Sequence, residues 1–305
     1  MHRISRREFC GKAAASIAAV GLLSGSEQAL FANPLGLPIG SQTYPHRKRI
    51  IDGDFAGLLK DMKGIGIENV ELCGPDYKEF ASLSNGKQVR KMIDDHGLKC
   101  PSAHFTMEGL RTRQSELIDW AHEIGMIQMS TASLQGQMVN GQSTKDGIKK
   151  AAEEYNQIGA RAKKAGLQQL LHDEGYEMAP VQGDGPLTYT VLLEELDPNL
   201  VKMQFQISAM RVVGDPIMYF HKYPGRFQSM HCQGVDLNAP MPSRGPRKPG
   251  APRGPRPAEI ALGHDSLNWP KIFEAAKVGG LKNYFVEQTW PVTVQSVAYL
   301  KTLKV

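Results

Sequence analysis

The sequence predicts an α/β fold, a closed (β/α)8 TIM barrel with eight parallel strands, from three observations. One kind of helix-to-strand junction recurs five times, eight apolar runs of strand length alternate with helical segments, and each unit takes about 34 residues. Eight such units fill the ~270 residues after an N-terminal leader, close to the ~250 residues typical of these barrels. We therefore expect functional residues at the carboxyl ends of the strands, where the strand-to-helix loops meet.

The recurring junction is a polar or basic helix end, then glycine, then a short apolar run. Glycine just past a helix adopts the left-handed conformation that satisfies the last carbonyl groups, so each copy marks a helix end. The five glycines are Gly66, Gly97, Gly125, Gly166 and Gly280. The predicted strands are 37–42, 67–72, 98–104, 126–131, 167–172, 200–207, 226–232 and 281–287. An open doubly wound sheet is the alternative, but no Gly-x-Gly-x-x-Gly turn follows the first strand.

Composition excludes several classes of protein. The 305 residues are 41% hydrophobic and 22% charged, which is ordinary for a folded domain. No apolar run approaches the ~20 residues of a membrane span, so we expect no transmembrane span in the mature form. The net charge is +5. Residues 1–32 hold four bases and two acids, and residues 238–258 hold five bases and no acid. The rest of the chain therefore has 27 bases and 29 acids. Because nucleic-acid binding needs clustered positive charge, this balance disfavours a nucleic-acid-binding domain.

Residues 1–32 are predicted to be a cleavable export signal. The pair Arg6-Arg7, then Phe9 and Lys12, precedes an uncharged, small and apolar stretch at 13–23. This order is typical of a bacterial signal, and the paired arginines resemble the twin-arginine type. We expect the twin-arginine export machinery as a partner, and a periplasmic or extracellular protein. An N-terminal helix of the fold is the alternative, because alanine-rich runs also form helices.

Residues 33–305 are predicted to form a single barrel domain. Its cysteines, Cys73, Cys100 and Cys232, form no Cys-x-x-Cys pair and are interpreted as small buried hydrophobic residues, with one disulfide left open as an alternative. The loop 238–258 is rich in proline, glycine and arginine and is predicted to be a solvated insertion. The alternative is a cationic lid or tether over the barrel mouth.

Polar side chains follow the predicted strands where each one ends. They are Gln42, Tyr44 and His46 after the first strand, Glu71 after the second, His104 after the third, His172, Asp173, Glu174 and Glu177 after the fifth, Gln206 after the sixth, His231 after the seventh, and Glu287 and Gln288 after the eighth. Two glutamates and one histidine from strands five, seven and eight suit a divalent cation. Tyr44 is interpreted as stacking on a sugar ring or packing against a helix.

These residues lie in a chain that resembles the sugar phosphate isomerase/epimerase family, the xylose isomerase-like TIM barrels. Resembling segments include Glu68-Asn-Val-Glu71, Tyr223-Pro-Gly-Arg-Phe227, Asn268-Trp-Pro-Lys-Ile-Phe273 and Tyr284-Phe-Val-Glu-Gln288. In that family a Glu, an Asp, a His and a second Glu from strands five to eight bind a divalent metal. His231 and Glu287 match this pattern well.

The chain also departs from the family pattern. Glu174 stands where a second histidine is common, Glu177 matches a later glutamate, and Gln206 replaces the sixth-strand aspartate. Cys232-Gln233-Gly234 follows His231, where Val-Lys-Asp is common. Because an amide carries no charge, Gln206 should weaken metal binding or change the preferred metal.

The resemblance implies proton transfer next to a sugar carbonyl. Glu174 and Glu287 are the predicted catalytic pair, and Glu174, Gln206, His231 and Glu287 are the predicted ligands of a divalent metal (Mn, Co, Mg or Zn). The predicted substrate-binding residues are Gln42, Tyr44, His46, Glu71, His104, His172, Glu177 and Gln288. Export favours an unphosphorylated sugar, keto-sugar or glycoside as substrate.

Two other functions are alternatives to this one. A non-catalytic periplasmic carbohydrate-binding or accessory protein on a degenerate barrel would explain Gln206 and Gln233. A DNA repair endonuclease would need a histidine-rich multi-zinc site and a basic body, which the sequence does not predict. A homo-oligomer is compatible with this type of barrel, but the sequence predicts no interface.

Overall fold

The computed structural model describes residues 33–132, 134, 138–139, 142–173, 177, 179–182, 185–239 and 258–305. Its centre is a closed parallel barrel in which the eight strands lie in the order β1-β8-β7-β6-β5-β4-β3-β2. The strands are β1 (Gly40–Gln42), β2 (Asn69–Cys73), β3 (Lys99–His104), β4 (Gln128–Thr131), β5 (Gln168–His172), β6 (Val201–Gln206), β7 (Phe227–Cys232) and β8 (Asn283–Val286). The predicted (β/α)8 TIM barrel is confirmed. Seven observed strands lie within their predicted ranges, and β2 runs one residue past the predicted end at residue 72.

Helices alternate with the strands. They are α1 (Arg47–Ile51), α2 (Phe55–Ile65), α3 (Gly86–Asp95), α4 (Met107–Thr112), α5 (Gln114–Ile124), α6 (Lys145–Lys164), α7 (Thr188–Glu195), α8 (Met210–Val213), α9 (Pro216–Lys222), α10 (Trp269–Gly279) and α11 (Trp290–Leu300). Short 3-10 turns lie at Pro34–Gly36, Tyr44–His46, Lys78–Leu83 and Ile207–Ala209, and Met138–Val139 pairs antiparallel with Gln142–Ser143. Side chains start several helices: Asn268 accepts a hydrogen bond from the Lys271 amide, and proline occupies the first turn of α10.

The five predicted glycine junctions all have the expected backbone. Their φ values are positive, between 66° and 97°. Gly280 also needs to be small, because an added Cβ would lie 2.9 Å from the Gly225 Cα. Glycine is therefore required there for two reasons, the left-handed conformation and the close approach of a neighbouring loop.

The apolar core lies between the barrel and its helices. Aromatic rings pack there edge to face, as Phe205 of β6 does against Phe220 of α9, with ring centroids 5.5 Å apart. Cys73, Cys100 and Cys232 are buried and free, as predicted. No helix in the described part of the chain has the length and apolar character that a membrane crossing needs. The predicted signal, 1–32, and residues 240–257 of the basic loop lie outside the described residues.

Candidate functional site

The carboxyl ends of the strands bring the polar residues of the sequence pattern together inside the barrel. Strand register places Gln206 of β6 beside His231 of β7, and His231 beside Phe285 of β8. Glu287 follows β8 directly, and its amide donates to the Cys232 carbonyl over 3.2 Å. Three of the four predicted metal ligands therefore lie side by side, and the fourth, Glu174, lies outside the described residues.

Glu71 of β2 is the central acceptor of a buried hydrogen-bond network beneath this mouth. Its Oε1 accepts hydrogen bonds from Ser102 Oγ at 2.8 Å and from Gln204 Nε2 at 2.8 Å. Its Oε2 accepts from Gln42 Nε2 at 3.1 Å and from His231 Nε2 at 2.5 Å. Since a carboxylate offers about four lone-pair sites, protein donors saturate Glu71.

Gln204 of β6 reaches across the barrel to Glu71 of β2 and to His104 of the neighbouring strand β3. Its Oε1 accepts from His104 Nε2 at 2.8 Å and from Ser130 Oγ at 3.2 Å. Its Nε2 donates to Glu71 and to Ser229 Oγ, the latter at 2.9 Å. Because β2 and β6 are opposite strands, the Gln204–Glu71 hydrogen bond crosses the barrel interior.

Three histidine side chains pack against one another above this network. One possible ligand atom from each of His104, His172 and His231 lies within 4.8 Å of the other two. The ring centroids of His172 and His231 are 4.5 Å apart, and those of His104 and His231 are 5.3 Å apart and stacked. All three side chains are buried.

Among the described acidic residues of the cluster, Glu287 is more exposed than Glu71, Asp173 and Glu177. Its Oε2 accepts from Gln206 Nε2 at 2.7 Å and from Gln233 Nε2 at 2.8 Å, and lies 3.3 Å from His231 Nδ1. Its side chain is 16% exposed, whereas that of His231 is 0% exposed. No described residue donates to its Oε1, so this oxygen faces the mouth without a donor from the described part of the chain.

The charges of the cluster stabilise one another. Burial alone would raise the pKa of Glu71, but the imidazoles of His104 and His231 outweigh it and hold that pKa well below its usual value. Burial would lower the pKa of His231, yet the carboxylates of Glu71 and Glu287 raise it to about 10. The pKa of Glu287 is lowered because His231 and its hydrogen-bond donors outweigh burial. Burial and the neighbouring imidazoles lower the pKa of His172.

A buried acid adjoins the cluster at the end of β5. Asp173 Oδ1 accepts from the Gln206 amide at 3.0 Å, and its Oδ2 has no hydrogen-bond partner among the described atoms. Burial raises the pKa of Asp173 well above its usual value. The predicted substrate-binding residue Glu177 is also fully buried, and it adds to the rise in the pKa of Asp173.

Several predicted substrate-binding residues lie away from the mouth or beneath it. Glu71 and Gln42 form part of the buried floor. Gln288 is buried, donates to the Ile260 carbonyl at 2.7 Å and accepts from Ser296 at 2.6 Å, so its amide joins a loop to α11. The structure does not bring Gln288 into the cluster, because successive side chains near a strand point in opposite directions.

Tyr44 and His46 flank the end of β1 instead of joining the histidine cluster. The Tyr44 ring is 37% exposed, stacks on Phe80 at 6.4 Å and lies under the Arg47 guanidinium. The His46 ring packs edge to face against Trp290, with centroids 5.6 Å apart. Burial and the nearby Arg49 charge lower the pKa of His46 to about 4.

Two site residues were missed by the sequence interpretation. Gln204 was not selected, although it lies two residues before Gln206 and a strand places such residues on one face. Gln233 was noted only as a departure from the family pattern, and in the structure it holds Glu287 through both the side chain and the main-chain carbonyl. Side chains two residues apart on a strand point to the same face, and this alternation along β6 would have identified Gln204 from the position of Gln206.

The donor set fits a divalent cation. Three clustered imidazoles supply nitrogen ligands, and the carboxylate of Glu287 supplies oxygen. Gln206 Oε1 is buried and has no hydrogen-bond partner among the described atoms. Imidazole and oxygen donors in one buried cluster are a common environment for divalent metals.

Comparisons with known proteins agree with this architecture. No family profile matches the chain, and no curated protein matches it. A crystal structure of a sugar phosphate isomerase/epimerase from Parabacteroides distasonis is 21% identical and covers 91% of this chain and 98% of its own, with a TM-score of 0.69. The chain has the TIM-barrel fold of these structures.

Two further structures are similar at lower identity. L-ribulose 3-epimerase is 12% identical, with 87% of this chain and 93% of that chain covered and a TM-score of 0.63. A xylose isomerase-like TIM barrel protein from Mycobacterium smegmatis, in complex with magnesium, is 15% identical, with 89% and 98% covered and a TM-score of 0.61. The magnesium is a property of that neighbour.

Proposed function

We propose that this chain is a divalent-metal-dependent enzyme of the sugar isomerase/epimerase type. It would transfer a proton at the carbon next to a carbonyl group of an unphosphorylated sugar, keto-sugar or glycoside. The observation that carries the proposal is Glu287, a carboxylate at the barrel mouth that Gln206, Gln233 and His231 hold through one oxygen. The fold of the structural neighbours supports the same reaction class.

Glu287 has the position and charge of a general base. Its lowered pKa keeps it ionised near neutral pH. A sugar over the mouth would exclude water from the exposed part of the side chain, and desolvation raises a carboxylate pKa towards the range in which it removes protons best. The donors on Oε2 fix the orientation of the carboxylate, so Oε1 is the oxygen available to the substrate proton.

Glu174 is the proposed second base, which returns the proton on the other face of the sugar. This role comes from its position after β5 in the sequence. A cation would be held at the mouth close to Glu287, with His231 among its ligands. When bound, it would supply Lewis-acid stabilisation of the negative charge that develops on the substrate oxygen.

The proposal also includes export. The twin-arginine-type segment at 1–32 supports a periplasmic or extracellular location and, with it, a substrate that carries no phosphate. A folded, metal-loaded barrel suits that export route, which moves folded proteins.

The test is a product screen of keto-sugars and glycosides with the purified protein and Glu287→Gln. General base catalysis contributes roughly 10²–10⁴-fold, so this variant should lose activity by about that factor and keep its fold. Glu274→Gln is the matched control, because Glu274 is exposed on α10. Full activity of the Glu287→Gln protein would contradict the proposal.

A second candidate is a carbohydrate-binding or accessory protein, and it is favoured by the uncharged amides of Gln206 and Gln233 beside Glu287. Sugar binding by calorimetry without any turnover, in protein that carries no metal, would favour this role. Turnover with one bound metal per chain would exclude it.

A further inference from the structure

Three imidazoles meet inside the carboxyl half of the barrel from alternate strands. His104 ends β3, His172 ends β5 and His231 lies in β7. They are 5%, 1% and 0% exposed, and their possible ligand atoms lie within 4.8 Å of one another. Imidazoles so close and so buried need either hydrogen-bond acceptors or a shared cation, since burial of polar groups without partners is costly.

We propose that these three imidazoles are the primary ligands of a borderline divalent cation, Zn²⁺ in type. This set differs from the carboxylate-led set that the sequence predicted, Glu174, Gln206, His231 and Glu287. A catalytic use of this cation rests on the proposed function. The metal site itself can be tested without substrate.

In two of the rings, a hydrogen bond to a protein acceptor occupies one nitrogen, so the other nitrogen is the one left for a metal. The Gln204 amide is oriented by its Nε2, which donates to Glu71 and Ser229, so Gln204 Oε1 faces His104 Nε2 at 2.8 Å. An amide oxygen only accepts, so His104 Nε2 donates and Nδ1 keeps its lone pair. The tautomer is thus set by a protein acceptor, as in most metal-binding histidines.

The same arrangement holds His231. Its Nε2 lies 2.5 Å from Glu71 Oε2, and its Nδ1 lies 3.3 Å from Glu287 Oε2. Nδ1 would therefore release its proton when it binds a cation. A carboxylate behind a ring orients that ring and increases the basicity of its other nitrogen. Glu71 accepts from four donors, so it supports the ligands and is not one of them.

The choice of metal follows from the donor atoms. Imidazole suits Zn²⁺ and its neighbours, while Mg²⁺ and Mn²⁺ prefer carboxylate, carbonyl and water oxygens. Gln206 offers a neutral amide where a carboxylate would favour the hard cations. Binding through three imidazoles also leaves Glu287 unligated and therefore available as a base.

The experiment uses the purified full chain, stripped with a chelator and then titrated separately with Zn²⁺, Co²⁺, Mn²⁺ and Mg²⁺. We expect one Zn²⁺ or Co²⁺ per chain, visible d–d absorption of the Co²⁺ form, and X-ray absorption of the Zn²⁺ form that shows three imidazoles. Because the X-ray absorption measurement needs no variant, it does not depend on whether substituted chains fold.

Variants provide the second readout. His104→Gln and His172→Gln should each lower Zn²⁺ affinity by at least ~10–100-fold. Substituting a residue that only hydrogen-bonds to a metal ligand already causes a loss of that size. His221→Gln is the control, since His221 is exposed on α9, and it should bind Zn²⁺ like the parent protein. Unchanged affinity in either test variant, fewer than three imidazoles at the metal, or preference for Mg²⁺ or Mn²⁺ would overturn the inference.

The two proposals fail separately. Zn²⁺ bound by three imidazoles in a protein that converts no sugar would contradict only the proposed function. Sugar conversion in a protein whose metal has no imidazole cluster, or that works only with Mg²⁺, would contradict only the imidazole site.

Discussion

Two polar layers cross the interior of the barrel, and they differ in chemistry. At the carboxyl end, Glu71 and Gln204 join opposite strands β2 and β6 over 2.8 Å, within a layer that includes charged groups. At the amino end, Asn283 Nδ2 of β8 donates to Gln128 Oε1 of the opposite strand β4 over 2.6 Å, and both groups are neutral amides. We call these the ionisable layer and the amide layer.

The layers also differ in how completely their hydrogen bonds are made. Glu71 is saturated by protein donors. In the amide layer, Gln128 Nε2 and Asn283 Oδ1 have no partner among the described atoms. A cavity lined by Gln128, Gln168 and Lys282, among others, opens beside this end. The saturated charged layer thus lies at the carboxyl end, and the unpaired amide groups lie at the amino end.

The largest expected effect is in the ionisable layer. Glu71→Leu leaves the donors of Gln42, Ser102, Gln204 and His231 without their acceptor, and removing one partner of a buried charged network costs about 3–5 kcal/mol. Urea unfolding should show this loss in the free energy of unfolding. A loss under about 1 kcal/mol would mean that the layer is not a connected network.

A buried imidazole outside both layers gives the next effect. His46 has a pKa of about 4 when folded against 6.5 as its ordinary value, so the folded state binds fewer protons. Its contribution is present above pH 6.5 and is lost as the pH falls to about 4, by at most about 3 kcal/mol. His46→Gln should flatten the pH dependence of unfolding in that window.

The exposed His221→Gln variant is the control for this measurement and should leave the slope unchanged. A His46→Gln protein with the parental slope would show that His46 does not carry the difference. Imidazoles that lie beside carboxylates, such as His231, should give the opposite pH dependence of unfolding, because their acidic neighbours raise the imidazole pKa.

The amide layer should respond more weakly. Asn283→Leu leaves Gln128 Oε1 without its donor and should cost about 1–3 kcal/mol. The double variant Gln128→Leu/Asn283→Leu should recover most of that loss, since replacing both partners by apolar groups is close to neutral. A double-mutant cycle with no coupling would contradict the hydrogen bond as the source of the effect.

The smallest effect concerns the helix-to-strand junction at the amino end. Gly166 has φ of +79°, and an added Cβ would meet no atom within 4 Å. Gly166→Ala should therefore cost only the backbone strain, about 1–2 kcal/mol. Thermal unfolding checks this value, and a stabilised variant would contradict the left-handed assignment.

The fold was predictable because its signals are local. Each strand is an apolar run and five helix ends carry glycine, so eight strands and their order of alternation followed from short windows of sequence. Gln206, His231 and Glu287 were predictable as neighbours for the same reason, since they lie at consecutive strand ends.

The network beneath them was not predictable, because it depends on distances across the barrel. Gln204, Glu71 and His104 are up to 133 residues apart in sequence and meet only when the barrel closes. Gln288 follows Glu287 directly, but its side chain lies against Ser296 instead of joining the cluster. Side-chain direction near the end of a strand cannot be read from residue type alone.

We propose that Glu287 moves a proton at a carbon next to a sugar carbonyl. Incubation of candidate keto-sugars with the metal-loaded protein in D₂O, followed by proton NMR, tests it most directly. The account predicts deuterium at that carbon with the parent protein and none above background with Glu287→Gln. Sugar that binds to the parent protein but never gains deuterium would contradict it.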